Sequence, residues 1–173
     1  TITEDQDGGA GTTITADEDT ADTNSLTINI ADDEGAGTAH EPDTLTVTNM
    51  ATVTVNLLDE ADGHTLTDAD FGDDAAVTIN GNADETVTIA GSVNASSLTV
   101  VSAGDLSFGT SALSVGSIDA SAVEGAVDMD LDGTASADPS TVTTGAGDDT
   151  ITVETTAADY DINTGAGDDT IEI

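Results

Sequence analysis

The stretch Thr144-Gly145-Ala146-Gly147-Asp148-Asp149-Thr150-Ile151 returns unchanged as Thr164-Gly165-Ala166-Gly167-Asp168-Asp169-Thr170-Ile171, twenty residues later. Two identical eight-residue copies in a chain of 173 residues mark a structural repeat rather than coincidence. Each copy joins a glycine-rich turn to the start of a strand. The glycines let the turn reach positive φ and let carbonyls point inward. The aspartates bring charge, and the Thr-Ile that follows alternates polar and apolar as a half-buried strand does. Units of this kind bury little alone and gain a core by stacking, so the repeat predicts a parallel coil on a coil.

Strand signatures extend well beyond the repeat. Alternating Thr or Asn with Val, Ile or Leu occurs at 25–30, 44–48, 51–57, 76–80, 86–90, 97–101 and 106–108. It continues at 126–131, 150–153, 160–163 and 170–173. Asp, Gly, Asn and Ser clusters separate these runs, as turns require. No segment keeps the i, i+3, i+4 apolar spacing of a helix; 59–70 comes nearest and is read as irregular or short helical structure. The fold class expected is all-β, a parallel β-solenoid or β-roll, with an irregular or sandwich-like all-β part as the alternative for the earlier residues. The chain divides into an acidic N-terminal β segment (1–43), solenoid-like strands (44–143) and the glycine-aspartate roll (144–173).

Upstream, Gly81-Asn82-Ala83-Asp84-Glu85-Thr86-Val87-Thr88-Ile89 aligns with 145–153 without gaps, Glu85 opposite Asp149. Asp43-Thr44-Leu45-Thr46-Val47 matches 149–153, although His40-Glu41-Pro42 replaces the glycine turn, and 8–14 keeps the glycines without the aspartate. Related turn units and shared β-propensity in a Thr/Val/Asp-rich chain explain these echoes equally well.

The two late copies resemble the nonapeptide repeats of the RTX family of secreted bacterial proteins, G-G-x-G-x-D-x-U-x. Thr144 stands where the first glycine belongs, Gly145 and Gly147 match the next two, Asp149 matches the aspartate and Ile151 the apolar position. Thr164, Gly165, Gly167, Asp169 and Ile171 repeat the match. Two departures accompany it: the first glycine is missing, and the interval is twenty residues where two nonapeptides would give eighteen. The half-coil at 154–163 has no such turn, so one flank should carry metal and the other an ordinary loop. The Thr/Asp/Ala/Gly texture of the rest, including Ser117-Ile118-Asp119-Ala120-Ser121-Ala122-Val123, is similar to solenoid parts of bacterial surface-layer proteins and large RTX adhesins.

The resemblance implies calcium, held by Thr144, Gly145, Ala146, Gly147, Asp148 and Asp149 together with Thr164, Gly165, Ala166, Gly167, Asp168 and Asp169. Calcium takes six to eight oxygens, backbone carbonyls included, whereas magnesium demands a stricter octahedron. Asp149 and Asp169 should line one edge about one strand spacing apart, roughly 4.8 Å, with Asp148 and Asp168 facing outward. Asp128-x-Asp130-x-Asp132-Gly133 opens like an EF-hand loop but lacks the twelfth-position Glu. It is a secondary metal candidate, against a strand with acids on its wet face.

Charge points the same way. The chain holds 36 Asp and Glu, no Lys or Arg, and a formal net charge of −36. Such a chain favours disorder without counter-ions, so metal ions or high salt are the expected partners, and nucleic acid and anionic membranes are poor ones. No Cys is present, which removes disulfides and thiolate sites. His40 and His64 are too far apart in sequence to suggest a zinc site, and no apolar run is long enough to span a bilayer.

Enzymatic motifs are missing. Thr44 stands where a zincin would need its second His after His40-Glu41. Gly109-Thr110-Ser111-Ala112-Leu113 only approximates a nucleophile elbow. Phe71, Phe108 and Tyr160 are too few aromatics for an ordinary sugar-binding cleft. The chain opens at Thr1 without a basic leader and closes at Ile173 within a strand signature; a segment of a longer exported protein is expected.

The function expected is non-enzymatic: a self-assembling, calcium-stabilised component of an extracellular surface layer or filament. The alternatives are a calcium-locked adhesin or biofilm-matrix module, and an acidic halophile surface domain held by salt, which the lone sequon Asn94-Ala95-Ser96 would suit.

Overall fold

The computed structural model describes residues 2–4, 12–15, 24–30, 45–58, 63–66, 68–81, 86–109, 113–131, 141–153 and 159–173. Among them no helix occurs, every strand pairing is parallel, and the strands fall into three sheets. The architecture is a β-solenoid.

The first sheet holds β1 (Ile2–Glu4), β3 (Ser25–Ile30), β5 (Thr52–Leu57), β8 (Ala76–Asn80), β11 (Ser97–Ser102), β14 (Ser117–Val123), β16 (Thr141–Thr143) and β18 (Asp161–Asn163), in that spatial order. The second runs β2 (Thr12–Thr15), β4 (Leu45–Thr48), β7 (Ala69–Asp70), β10 (Val93–Ala95) and β13 (Leu113–Val115). The third runs β6 (His64–Leu66), β9 (Val87–Ile89), β12 (Leu106–Phe108), β15 (Val127–Leu131), β17 (Thr150–Val153) and β19 (Thr170–Glu172). From β5 to β13 the chain visits the first, third and second sheets in turn, which makes a three-sided coil.

Coil length varies along the stack. It is 27 residues from Asn29 to Asn56, 24 from Asn56 to Asn80, and 20 from Asp149 to Asp169. Apart from a bulge between β11 and β14, where Thr99 pairs with Asp119 but Val101 with Ala122, the strands stay in register and the turns absorb the difference. The sandwich-like alternative is not what forms, because parallel pairing already joins β1 to β3 and β2 to β4. The stretch 59–70 is also corrected where it is described: it holds β6 and β7. Strands of two or three residues are too short for alternation to declare them.

Alternation places one side chain in two on the core. Val53, Val55 and Leu57 of β5 stack beside Val77 and Ile79 of β8, then Leu98 and Val100 of β11, and all are buried. Burying each such side chain contributes about 1.5–3 kcal/mol. In the third sheet Ile89, Phe108, Met129 and Ile151 form one inward column. Ile171 follows in register, but no described coil covers its far side. It is 45% exposed, Ile173 is 96% exposed and Ile162 is half-buried; of the five residues that the repeat sends inward on alternation (Ile151, Val153, Ile162, Ile171 and Ile173), only Ile151 and Val153 are buried. No described helix is long and apolar enough to cross a membrane.

Candidate metal centre

The corner between the first and third sheets is built from glycines stacked on backbone. A Cβ on Gly147 would lie 2.3 Å from the Gly125 carbonyl oxygen, and one on Gly167 would lie 2.1 Å from that of Gly147. One on Gly125 would meet the Gly104 carbonyl carbon at 2.6 Å. Gly125, Gly147 and Gly167, stacked on Gly104, therefore form a column in which a side chain has no room. Beside it, Gly165 sits over the Gly145 oxygen, and Gly145 over that of Val123, at 2.0 and 1.9 Å from their ideal Cβ positions. Gly165 also has φ +75° and Gly167 φ +141°, a region that costs other L-residues strain. Close approach brings coil to coil through Ala146 N–H on the Val123 oxygen (3.3 Å) and Ala166 N–H on the Gly145 oxygen (3.0 Å).

Register explains where the aspartates go. His64, Val87, Leu106 and Val127 succeed one another as an inward column of the third sheet. Because Asp128 pairs with Thr150 and Thr150 with Thr170, the next members of that column are Asp149 and Asp169. Asp149 is consequently 1% exposed. Its Oδ1 accepts the Val127 N–H at 2.8 Å and its Oδ2 accepts the Thr144 hydroxyl. Asp169 repeats the reach, accepting the Asp149 N–H at 3.0 Å, while Thr170 N–H donates to the Asp149 carbonyl at 2.8 Å.

A second aspartate column lies one residue earlier and faces solvent. Asp148 Oδ1 accepts the Asp168 N–H at 2.9 Å, and Asp105 Oδ1 accepts the Ala126 N–H at 2.9 Å. The inner aspartates thus reach back one coil and the outer ones reach forward. Both expected placements hold: Asp149 and Asp169 share an edge, and Asp148 and Asp168 are exposed.

The oxygens around this corner are of the hard kind calcium takes: inward carboxylates of Asp149 and Asp169, outward carboxylates of Asp148 and Asp168, hydroxyls of Thr144 and Thr164, and carbonyls of the glycine turns at 145–147 and 165–167, Ala146 and Ala166 included. Among the described residues no three His, Cys, Asp or Glu side chains converge to hold an ion. An ion at this corner would therefore draw on backbone carbonyls and hydroxyls, which calcium accepts. An ionised carboxylate offers about four lone-pair sites, so the hydrogen bonds to Asp149 leave it acceptor capacity.

Asp128 and Asp130 lie elsewhere. They alternate with buried Val127, Met129 and Leu131 on β15, on its outward face, and Asp128 is exposed. Asp132 falls outside the described residues, as do His40 and most of the Gly81–Glu85 turn. The echo at 81–89 is displaced by two: Ile89, not Val87, shares a column with Ile151.

Sequence reasoning missed Asp105, Gly125 and the part played by Thr144. The signal for Asp105 was available, since Ala103-Gly104-Asp105 repeats the Ala-Gly-Asp of 146–148 and 166–168. Comparison of the chain with protein-family models, curated proteins and solved structures gives no match.

Proposed function

We propose that this chain is a structural element of an extracellular surface layer or filament, non-enzymatic, stiffened by calcium at the 144–149/164–169 corner and joined to copies of itself. The observation that carries the reading is the stacking of two identical glycine-aspartate turns in register, inside a chain of net charge −36 without a single Lys or Arg. Neighbouring coils bring carboxylates to about 4.8 Å. At that distance two charges repel by about 0.9 kcal/mol at the dielectric of water and about 3.5 kcal/mol at an effective dielectric of 20. A divalent cation between the turns converts that repulsion into cohesion. Affinity in the range of extracellular modules, about 10⁻⁴–10⁻³ M, would make the switch respond to calcium outside the cell.

A second reading has its own support. The carboxylate of Asp149 is already hydrogen-bonded through both oxygens, so a salt-held domain could use it without a specific ion. Light scattering during calcium titration, beside a sodium chloride titration at matched ionic strength, separates the two. Growth in particle size with millimolar calcium and not with matched sodium supports the calcium-assembled layer. Equal responses favour the salt-held domain, and a folded chain that never grows rejects self-assembly.

A further inference from the structure

The outward face of the first sheet, over β3, β5, β8 and β11, carries no charge. Its central row is Thr27, Thr54, Thr78 and Thr99, its preceding row Ser25, Thr52, Ala76 and Ser97, in register throughout. The row after it holds Asn29, Asn56 and Asn80, tied into a ladder: Asn56 Nδ2 donates to Asn29 Oδ1 at 2.8 Å and Asn80 Nδ2 to Asn56 Oδ1 at 2.7 Å. Val101 completes that row at 40% exposure, and Leu58, next along the outward face after Asn56, is 49% exposed. These two are the only large apolar side chains exposed among the described residues other than Ile171 and Ile173 of the last coil.

Charge resumes at the borders. Asp119 follows Thr99 on β14, and the outward face of the third sheet carries Asp128, Asp130 and Glu172. With 21% of the chain charged, twelve positions would hold two or three acids by composition alone. This patch holds none.

We infer that this Thr/Asn face is where a second copy of the chain docks, sheet against sheet. The inference rests on the self-assembly reading and specifies its surface. Two arguments select a second copy as the occupant. Ionised carboxylates only accept hydrogen bonds, and the chain has no Lys or Arg to donate to them, so two acidic faces cannot pair directly, without an ion between them. Hydroxyls and amides both donate and accept, so this face is complementary to itself. In addition, carboxylates are kept off the patch, and repulsion between exposed charges is largely screened beyond a Debye length of about 8–10 Å, so copies meeting here feel less of it than copies meeting on the acid-bearing face of the third sheet.

Four strands at about 4.8 Å and six residues at about 3.3 Å give a footprint of about 400 Å². That is half the roughly 800 Å² per partner of a stable complex. The contact is therefore weak singly and suited to repetition in a lattice, and its test must trap it. Absence of native Cys makes trapping direct. Thr54→Cys and Thr78→Cys, at the patch centre, should form disulfide-linked dimers under mild oxidation in millimolar calcium chloride, several-fold faster than Ser107→Cys or Ser114→Cys on the other two sheets. Adding Thr54→Asp to Thr78→Cys should abolish the excess, while circular dichroism stays that of the parent chain. If the chain grows in light scattering but all four cysteines cross-link alike, the face is wrong and assembly stands. If it neither grows nor cross-links, both readings fall.

Discussion

Replacing Asp149 tests the corner most sharply. The wild-type carboxylate serves the Val127 N–H and the Thr144 hydroxyl, both buried. Asp149→Ala strands both donors, and each unsatisfied buried group costs about 1–3 kcal/mol. The two share one environment and do not add fully, so the expected loss, after relief of about 1 kcal/mol of repulsion from Asp169, is about 3 kcal/mol. Asp149→Asn keeps Oδ1 for Val127, and the Thr144 hydroxyl can rotate to accept from the new amide. It gives up charge assistance worth about 1 kcal/mol and relieves repulsion from Asp169 of similar size. Asn should therefore lie within about 1 kcal/mol of wild type in chelator, where the ion contributes nothing. For a chain of this size 1 kcal/mol shifts Tm by about 2–4 °C. Thermal melts followed by circular dichroism in chelator should then show Asp149→Ala about 6–12 °C low and Asp149→Asn nearly unshifted. Amide exchange at Val127 should accelerate in the Ala variant alone. An Ala variant as stable as wild type, with Val127 still protected, would refute the assignment of the buried carboxylate as a backbone cap.

Three further outcomes follow from packing. Gly147→Ala, whose Cβ would sit 2.3 Å from a backbone oxygen, should lose about 2 kcal/mol or more; Gly109→Ala, with nothing nearer than 3.8 Å, should stay within about 0.5 kcal/mol. Denaturant midpoints compare the pair, and equal shifts would count against the close-approach argument. Asn56→Ala removes two ladder bonds and should cost about 1–2 kcal/mol, read from the same titrations; no change would mean the ladder only decorates the face. Asp149→Asn combined with Asp169→Asn should abolish calcium-induced stabilisation while leaving the metal-free chain no less stable, and calorimetric titration showing undiminished calcium binding would place the ion elsewhere.

The solenoid was legible because its strands announce themselves in pairs of letters. Thr52-Val53-Thr54-Val55-Asn56-Leu57 alternates through a whole strand, and the buried half of that alternation is the core found at β5. The exact repeat at 144–151 and 164–171 even declared the register, since Thr150 pairs with Thr170 and Ile151 with Ile171. What escaped was whatever depends on the neighbouring coil. Val93–Ala95 and Leu113–Val115 are three-residue strands whose only reason to be strands is the coil beside them. That the Asp149 carboxylate caps the Val127 N–H could not be read from its own turn, because that partner lies 22 residues earlier on the neighbouring coil. The Asn29–Asn56–Asn80 ladder is invisible for the same reason: its spacing changes from 27 to 24 residues as the turns shorten.

Hydrogen exchange over the last coils, with calcium and with chelator, bears on the calcium-locked corner most directly. Exchange reports local opening free energy, and the amides that matter are Val127, Asp149 and Thr170, each bonded to an Asp149 or Asp169 oxygen. The account predicts that these three slow as calcium rises through about 10⁻⁴–10⁻³ M, while the amides of 52–57 and 76–80 hold their rates. Identical exchange at Val127, Asp149 and Thr170 in calcium and in chelator would contradict it.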